Sequence, residues 1–142
     1  MRRFLLLAVL LGFAIPVLAQ EHYVEGPVWR VTYSNVKPGK FNDILTDLRQ
    51  NFAKVMATAK AQGVILDYKV FLNSTSESPD DWDIATAVLY RGYAGMDGLA
   101  AKLDVITLAH YGSADARAAA GAKRDEIRTV LMSKLAREIT MK

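Results

Sequence analysis

Side chains able to do chemistry are sparse in this sequence, and few are spaced to act together. His110 is one of two histidines and stands beside Tyr111 at the end of an apolar stripe. An imidazole there, aimed into a cavity, would ligate haem or serve as a base near neutral pH. Aimed along a helix, it would do no more than meet the last carbonyls. His22 lies in a polar stretch with no companion ligand. Arg30, Asp67, Lys69 and Glu138 are charges set within segments of strand-like alternation. On one sheet face they would make a polar pocket for an anionic or hydroxylated ligand, or an ion-pair network, since an isolated buried charge is costly. On an open face of a monomer they would simply be solvated. Glu77, Asp80, Asp81 and Asp83 cluster in and after a loop, but a calcium loop needs a glycine for its sharp turn, and this one has none. Glycine-rich phosphate loops, a nucleophile elbow and paired metal-binding histidines are absent from the sequence. So is cysteine, which removes thiol chemistry, disulfides and thiolate-held metals. No metal site is expected, and His110 is the single weak candidate for a catalytic residue.

The elements that would position these groups are legible in the periodicity. Residues 28–36 alternate, with Trp29, Val31 and Tyr33 on one side and Arg30, Thr32 and Ser34 on the other, the pattern of a half-buried strand. After the turn Lys37-Pro38-Gly39-Lys40, the residues Phe41, Ile44, Leu45, Leu48, Phe52, Val55, Met56 and Ala59 recur at steps of three and four. That spacing predicts a long amphipathic helix closed by Gly63. Residues 64–72 and 82–91 return to period two, separated by a polar loop. Met96, Leu99, Leu103 and Ile106 open a second helical stripe, which Gly112-Ser113 interrupts. Residues 114–132 are helical by composition, with Gly121 as the weak point. Residues 135–142 alternate once more and predict a fourth strand.

The order β-α-β-β-α(α)-β is the split βαβ, ferredoxin-like arrangement: an α+β fold with helices on one face of a four-stranded antiparallel sheet. The first strand should be central beside the fourth, with residues 64–72 at an edge. Trp29, Tyr33, Tyr68, Trp82 and Tyr90 are expected under the helices as core. The other face would carry Arg30, Thr32, Asp67, Lys69, Ala85, Ala87 and Glu138. Phe71, Leu89 and Ile65 lie among them, too apolar to be left in water.

The first residues carry an address. Arg2 and Arg3 precede an unbroken apolar run over 4–17, and Val17-Leu18-Ala19 puts small or modest side chains at the positions a signal peptidase reads. A run of about 14 residues is short for the roughly 30 Å of membrane hydrocarbon. The expectation is therefore a signal peptide over 1–19, a lead-in over 20–27 and one domain over 28–142, exported to the periplasm or secreted; a retained membrane anchor is the alternative. The whole chain has 18 Lys+Arg against 15 Asp+Glu, and two of those cations are Arg2 and Arg3. The chain beyond the signal is nearly neutral, so nucleic-acid binding loses its electrostatic support, and no membrane span remains after cleavage.

Across 28–142 the sequence resembles the dimeric α/β-barrel superfamily, in particular its small exported members of unassigned function. The features are Trp29-Arg30-Val31-Thr32-Tyr33 leading to Val36-Lys37-Pro38-Gly39-Lys40-Phe41, the long helix behind them, Ser78-Pro79-Asp80-Asp81-Trp82-Asp83, and the ending Arg137-Glu138-Ile139. The resemblance implies two sheets packed face to face in a homodimer. The superfamily includes cofactor-independent monooxygenases and haem-handling enzymes as well as members without known activity, so it implies fold and dimer better than reaction. In haem-degrading relatives a Trp lies about one helix length before the His, and none does here. The expected function is a homodimeric, non-catalytic ligand-binding or stress-related module, with a small molecule as its ligand and no required cofactor. The alternative is a monooxygenase or haem-handling enzyme.

Overall fold

The computed structural model describes residues 22–142; the signal expected over 1–19 lies outside the described residues. Four strands, β1 (Tyr23–Val36), β2 (Asp67–Leu72), β3 (Ile84–Tyr90) and β4 (Arg128–Met141), form one sheet in the order β2-β3-β1-β4, with every neighbouring pair antiparallel. The helices α1 (Phe41–Asp47), α2 (Ala53–Ala61), α3 (Leu99–Tyr111) and α4 (Ala114–Ile127) cover one face, and a π-helical turn, Leu48–Phe52, joins α1 to α2. This is the ferredoxin-like fold, with β1 central beside β4 and β2 at an edge as the sequence predicts.

The long helix forms where the three-and-four spacing lies. Ile44, Leu48, Val55 and Ala59 turn inward, and Gly63 takes the left-handed conformation (φ +70°) that closes it. Ser113 caps α4, its hydroxyl accepting from the Ala116 N–H at 3.0 Å. The apolar packing under the helices is in two clusters. Ile44, Leu48 and Ile84 form one with Phe52 and Ile127. Val55, Ala59, Ile65, Tyr90, Leu99 and Ile106 form the other.

Several expectations are corrected. The lead-in over 20–27 is in part strand: β1 starts at Tyr23 and pairs Tyr23, Val24 and Glu25 with Met141, Thr140 and Ile139. Gly26-Pro27 marks a bulge rather than a break. The register shifts between Glu25 and Val28, proline tolerates the lost donor there, and a Cβ on Gly26 would come within 3.1 Å of Glu138. At the other end α4 stops at Ile127, and residues 128–132, expected as helix, are strand. They pair with residues 33–36 of β1 around a second bulge, which outweighs a helix-compatible local composition. Residues 64–66 precede β2, because the Val64 N–H turns back onto the Ala59 carbonyl at 2.9 Å and Ile65 drops into the core.

A further correction concerns the faces. Paired residues of antiparallel strands share a side, and Val28, Arg30, Thr32 and Ser34 pair with Tyr90, Val88, Thr86 and Ile84. Ile84, Val88 and Tyr90 pack with the helices, so Arg30 and Thr32 lie on the helix side. Trp29, Val31 and Tyr33 lie on the open side with Ala85, Ala87, Leu89, Lys69 and Phe71. Apolar character misled because the helix side of β1 borders a polar cavity, while the open side is rich in exposed or half-buried apolar groups.

Candidate functional site

The cavity is about 430 Å³ and opens between sheet and helices. Thr32 of β1 and Thr86 of β3 form its floor. The π-turn and the start of α2 supply an apolar wall of Leu48, Phe52, Val55 and Met56, while Asp47 and Asn51 add polar groups on the same side. A π-turn shifts the side chains after it relative to a regular helix and recurs at functional sites. Opposite stand Thr107 and Tyr111 of α3, then Arg117, Gly121 and Arg124 of α4, with Arg128 at the start of β4.

Asp47 organises the charges. Arg124 donates to it twice, Nε to Oδ2 at 2.7 Å and Nη2 to Oδ1 at 3.1 Å, and Asn51 Nδ2 donates to Oδ1 at 2.8 Å. Burial pushes the Asp47 carboxyl up, but the hydrogen bonds from Arg124 and Asn51, with the charges of Arg124 and Arg128, outweigh it and hold the group below the usual carboxylate range. The Asp47 hydrogen bond raises Arg124 above its ordinary value despite burial, aided by Tyr111, whose hydroxyl accepts from Arg124 Nη2 at 3.0 Å. Arg117 pairs with Asp104 and donates to Thr107 at 3.1 Å.

Arg128 is different. Its Nη1 reaches Ser34 Oγ at 3.4 Å, its buried Nε has no hydrogen-bond partner, and among the described residues no carboxylate forms an ion pair with it. Burial lowers its pKa first, and the Arg124 charge lowers it further against the opposing pull of Asp47 and Asp125.

The residues singled out from sequence are dispersed. Arg30 stacks on Tyr90 at 5.5 Å on the helix side and does not line the cavity. Asp67 is tied to Lys60 at 2.7 Å, and the bond from Lys60, with one from the Tyr68 backbone, holds its carboxyl low. Lys69 sits 5.2 Å from the Trp29 ring, and the Trp29 indole donates to Glu138 at 2.6 Å. Lys69 and Glu138 thus meet on one aromatic residue of the open face, whereas Arg30 is on the opposite side and Asp67 is engaged by Lys60 of α2. The four do not form one pocket. His110 does not line the cavity either. Its Nε2 is bonded to Asn51 Oδ1 at 2.9 Å, and it lines a second cavity of about 410 Å³ between α2 and α3 with Lys54 and Gln62. The cavity therefore presents no imidazole for an axial haem position. His22 contributes backbone, its carbonyl accepting from the Lys142 N–H at 3.0 Å. The acidic loop caps backbone: Asp81 accepts from the Trp82 and Glu77 N–H groups, which hold its carboxyl low, and Asp83 accepts from Val36 N–H at 2.6 Å. Among the described residues no group of three His, Cys, Asp or Glu side chains is placed to hold a metal.

Sequence reasoning missed the arginines. Their signal was the spacing Arg117, Gly121, Arg124, Arg128, steps of four, three and four down one side of the predicted helix, facing Asp47 and Asn51 one turn apart on another.

No family model and no curated protein matches this sequence. The structure is similar to the crystal structure of a dimeric protein of unknown function and ferredoxin-like fold from Bacteroides fragilis, at 16% identity and a TM-score of 0.45, over 84% of this chain and 100% of that one.

Proposed function

We propose that this protein is an exported, homodimeric, non-catalytic binding domain whose ligand is a small molecule held in the cavity between sheet and helices. One observation carries the reading: a cavity of about 430 Å³ lies between sheet and helices, and Gly121 of α4 leaves part of its wall without a side chain. Gly121 lies in the middle of α4, where glycine is about 1 kcal/mol worse than alanine. A Cβ there would meet nothing within 4 Å, because the position faces the void. The volume falls within the roughly 300–1,000 Å³ of ordinary small-molecule sites. Asp47, the one carboxylate lining it, is engaged by Arg124 and Asn51, which favours binding over acid–base work.

The homodimer reading rests on the helix-free face. Phe71 and Met132 are 46% and 44% exposed there, beside the half-buried Trp29, Val31 and Tyr33. A second copy packed face to face through a two-fold axis would cover them. Export rests on the apolar run and cleavage pattern over 1–19; among the described residues no helix is long and apolar enough to cross a membrane.

The test is a fragment screen by two-dimensional NMR on the wild type and on Gly121→Leu. Binders should move the methyl signals of Leu48, Val55 and Met56, and the leucine variant, folded by its own spectrum, should abolish those shifts by filling the void. Binders that leave these methyls unmoved, or that bind Gly121→Leu unchanged, would overturn the reading.

A further inference from the structure

The charges around the cavity do not cancel, and the remainder has a chemical meaning. Arg124 is matched by Asp47, and Arg117 by Asp104, which does not line the cavity. Arg128 is left over. Of the five N–H donors of its guanidinium, one is used, in a long contact of 3.4 Å to Ser34. The buried Nε without a partner is costly, and a bound anion would relieve it. Beside it are the hydroxyls of Thr32 and Thr86 on the sheet floor. Across from it is the apolar wall of Leu48, Phe52, Val55 and Met56. One uncompensated positive charge faces one apolar surface.

We propose that the ligand is an organic monoanion, its carboxylate-type head engaging Arg128 and its apolar body lying along Leu48, Phe52, Val55 and Met56. This rests on the cavity being the ligand site and adds the class of ligand. A single negative charge balances the one spare cation. A dianion would exceed that balance and meet Asp47 across the cavity, and a neutral ligand would leave Arg128 as it is. The planar fork of arginine suits a carboxylate in two-point contact, which a lysine cannot reproduce.

Isothermal titration at pH 7 with 4-phenylbutyrate, its neutral amide and phenyl phosphate tests this on the wild type, Arg128→Gln, Arg128→Lys and Gly121→Leu. The acid should bind wild type at least about tenfold tighter than the amide, the discrimination one charge-assisted contact supplies. Arg128→Gln should bring the two to equal affinity, the larger loss falling on the acid, and Arg128→Lys should restore part of the preference. Equal binding of acid and amide to wild type would overturn the monoanion inference, as would a preference that survives Arg128→Gln or a tenfold preference for phenyl phosphate. In each of those results binding lost in Gly121→Leu would leave the ligand site standing. Failure of all three probes to bind wild type would overturn the ligand class, and the fragment screen would then decide on the site separately.

Discussion

Asp47→Asn should cost about 2 kcal/mol at neutral pH, and the cost should vanish in acid. The asparagine keeps one acceptor oxygen where the carboxylate offers two, so the double contact from Arg124 at 2.7 and 3.1 Å cannot be kept whole. The substitution also removes the negative charge between Arg124 and Arg128. Hydrogen bonds to charged groups contribute about 1.5–3 kcal/mol. The Asp47 and Arg124 side chains are 14% and 25% exposed, so water screens them partly, and the cost should fall below the roughly 3–5 kcal/mol of breaking a fully buried pair. Asp47 titrates below its unfolded value in the native state. Its contribution is therefore fully present above about pH 5, where both states are ionised, and is lost as pH falls through the lowered native value. Urea denaturation at one fixed protein concentration, from pH 7 down to pH 3, measures the gap between wild type and variant. A double-mutant cycle with Arg124→Met isolates the pair. The gap should be level from pH 7 to 5 and shrink below. A gap under about 0.5 kcal/mol at pH 7, or one that stays constant into acid, would refute the ion pair as the organiser of the cavity.

Ile44→Ala should cost roughly 3–5 kcal/mol, because Ile44 is wholly buried against Leu48 and Ile84; Leu45→Ala, one position on and partly exposed, should cost under about 1 kcal/mol, and equal costs would put the wrong helix face in the core. Leu48→Ala should fall near the lower end of about 2–5 kcal/mol, since its side chain borders a void that water can enter. Sedimentation equilibrium at micromolar concentration should give a dimer mass that Phe71→Glu reduces to a monomer, and a monomeric wild type would remove the face-to-face pairing. Intact-mass measurement of exported protein should show a chain starting at Gln20, and a mass retaining residues 4–17 would make it membrane-tethered. Added haem should give no Soret shift that depends on His110, and a shift lost in His110→Ala would return the haem-handling reading.

The sequence alone determined the element order, the long helix and the ferredoxin-like topology, because each depends on local periodicity. Ile44, Leu48, Val55 and Ala59 show three-and-four spacing whether or not anything is packed against them. Gly63 and Ser113 likewise act through their own backbone and hydroxyl. The alternation of β2 and β3 already showed which of their sides faces the helices, whereas for β1 tertiary structure decided it. Hydrophobicity placed Trp29, Val31 and Tyr33 inward, but the register of β1 with β3 turns Arg30, Thr32 and Ser34 toward the helices. A fold with a polar cavity on one face and an apolar open surface on the other inverts the signal that burial usually leaves. The site depended on the same step. Asp47 and Arg124 are far apart in sequence and become one ion pair only when α1 and α4 pack side by side on the sheet. Arg128 becomes a spare cation because Asp47, the carboxylate lining the same cavity, is engaged by Arg124 instead. Spacing down a helix can be read from a string of residues, but whether a charge finds its partner is settled only when the chain closes around it.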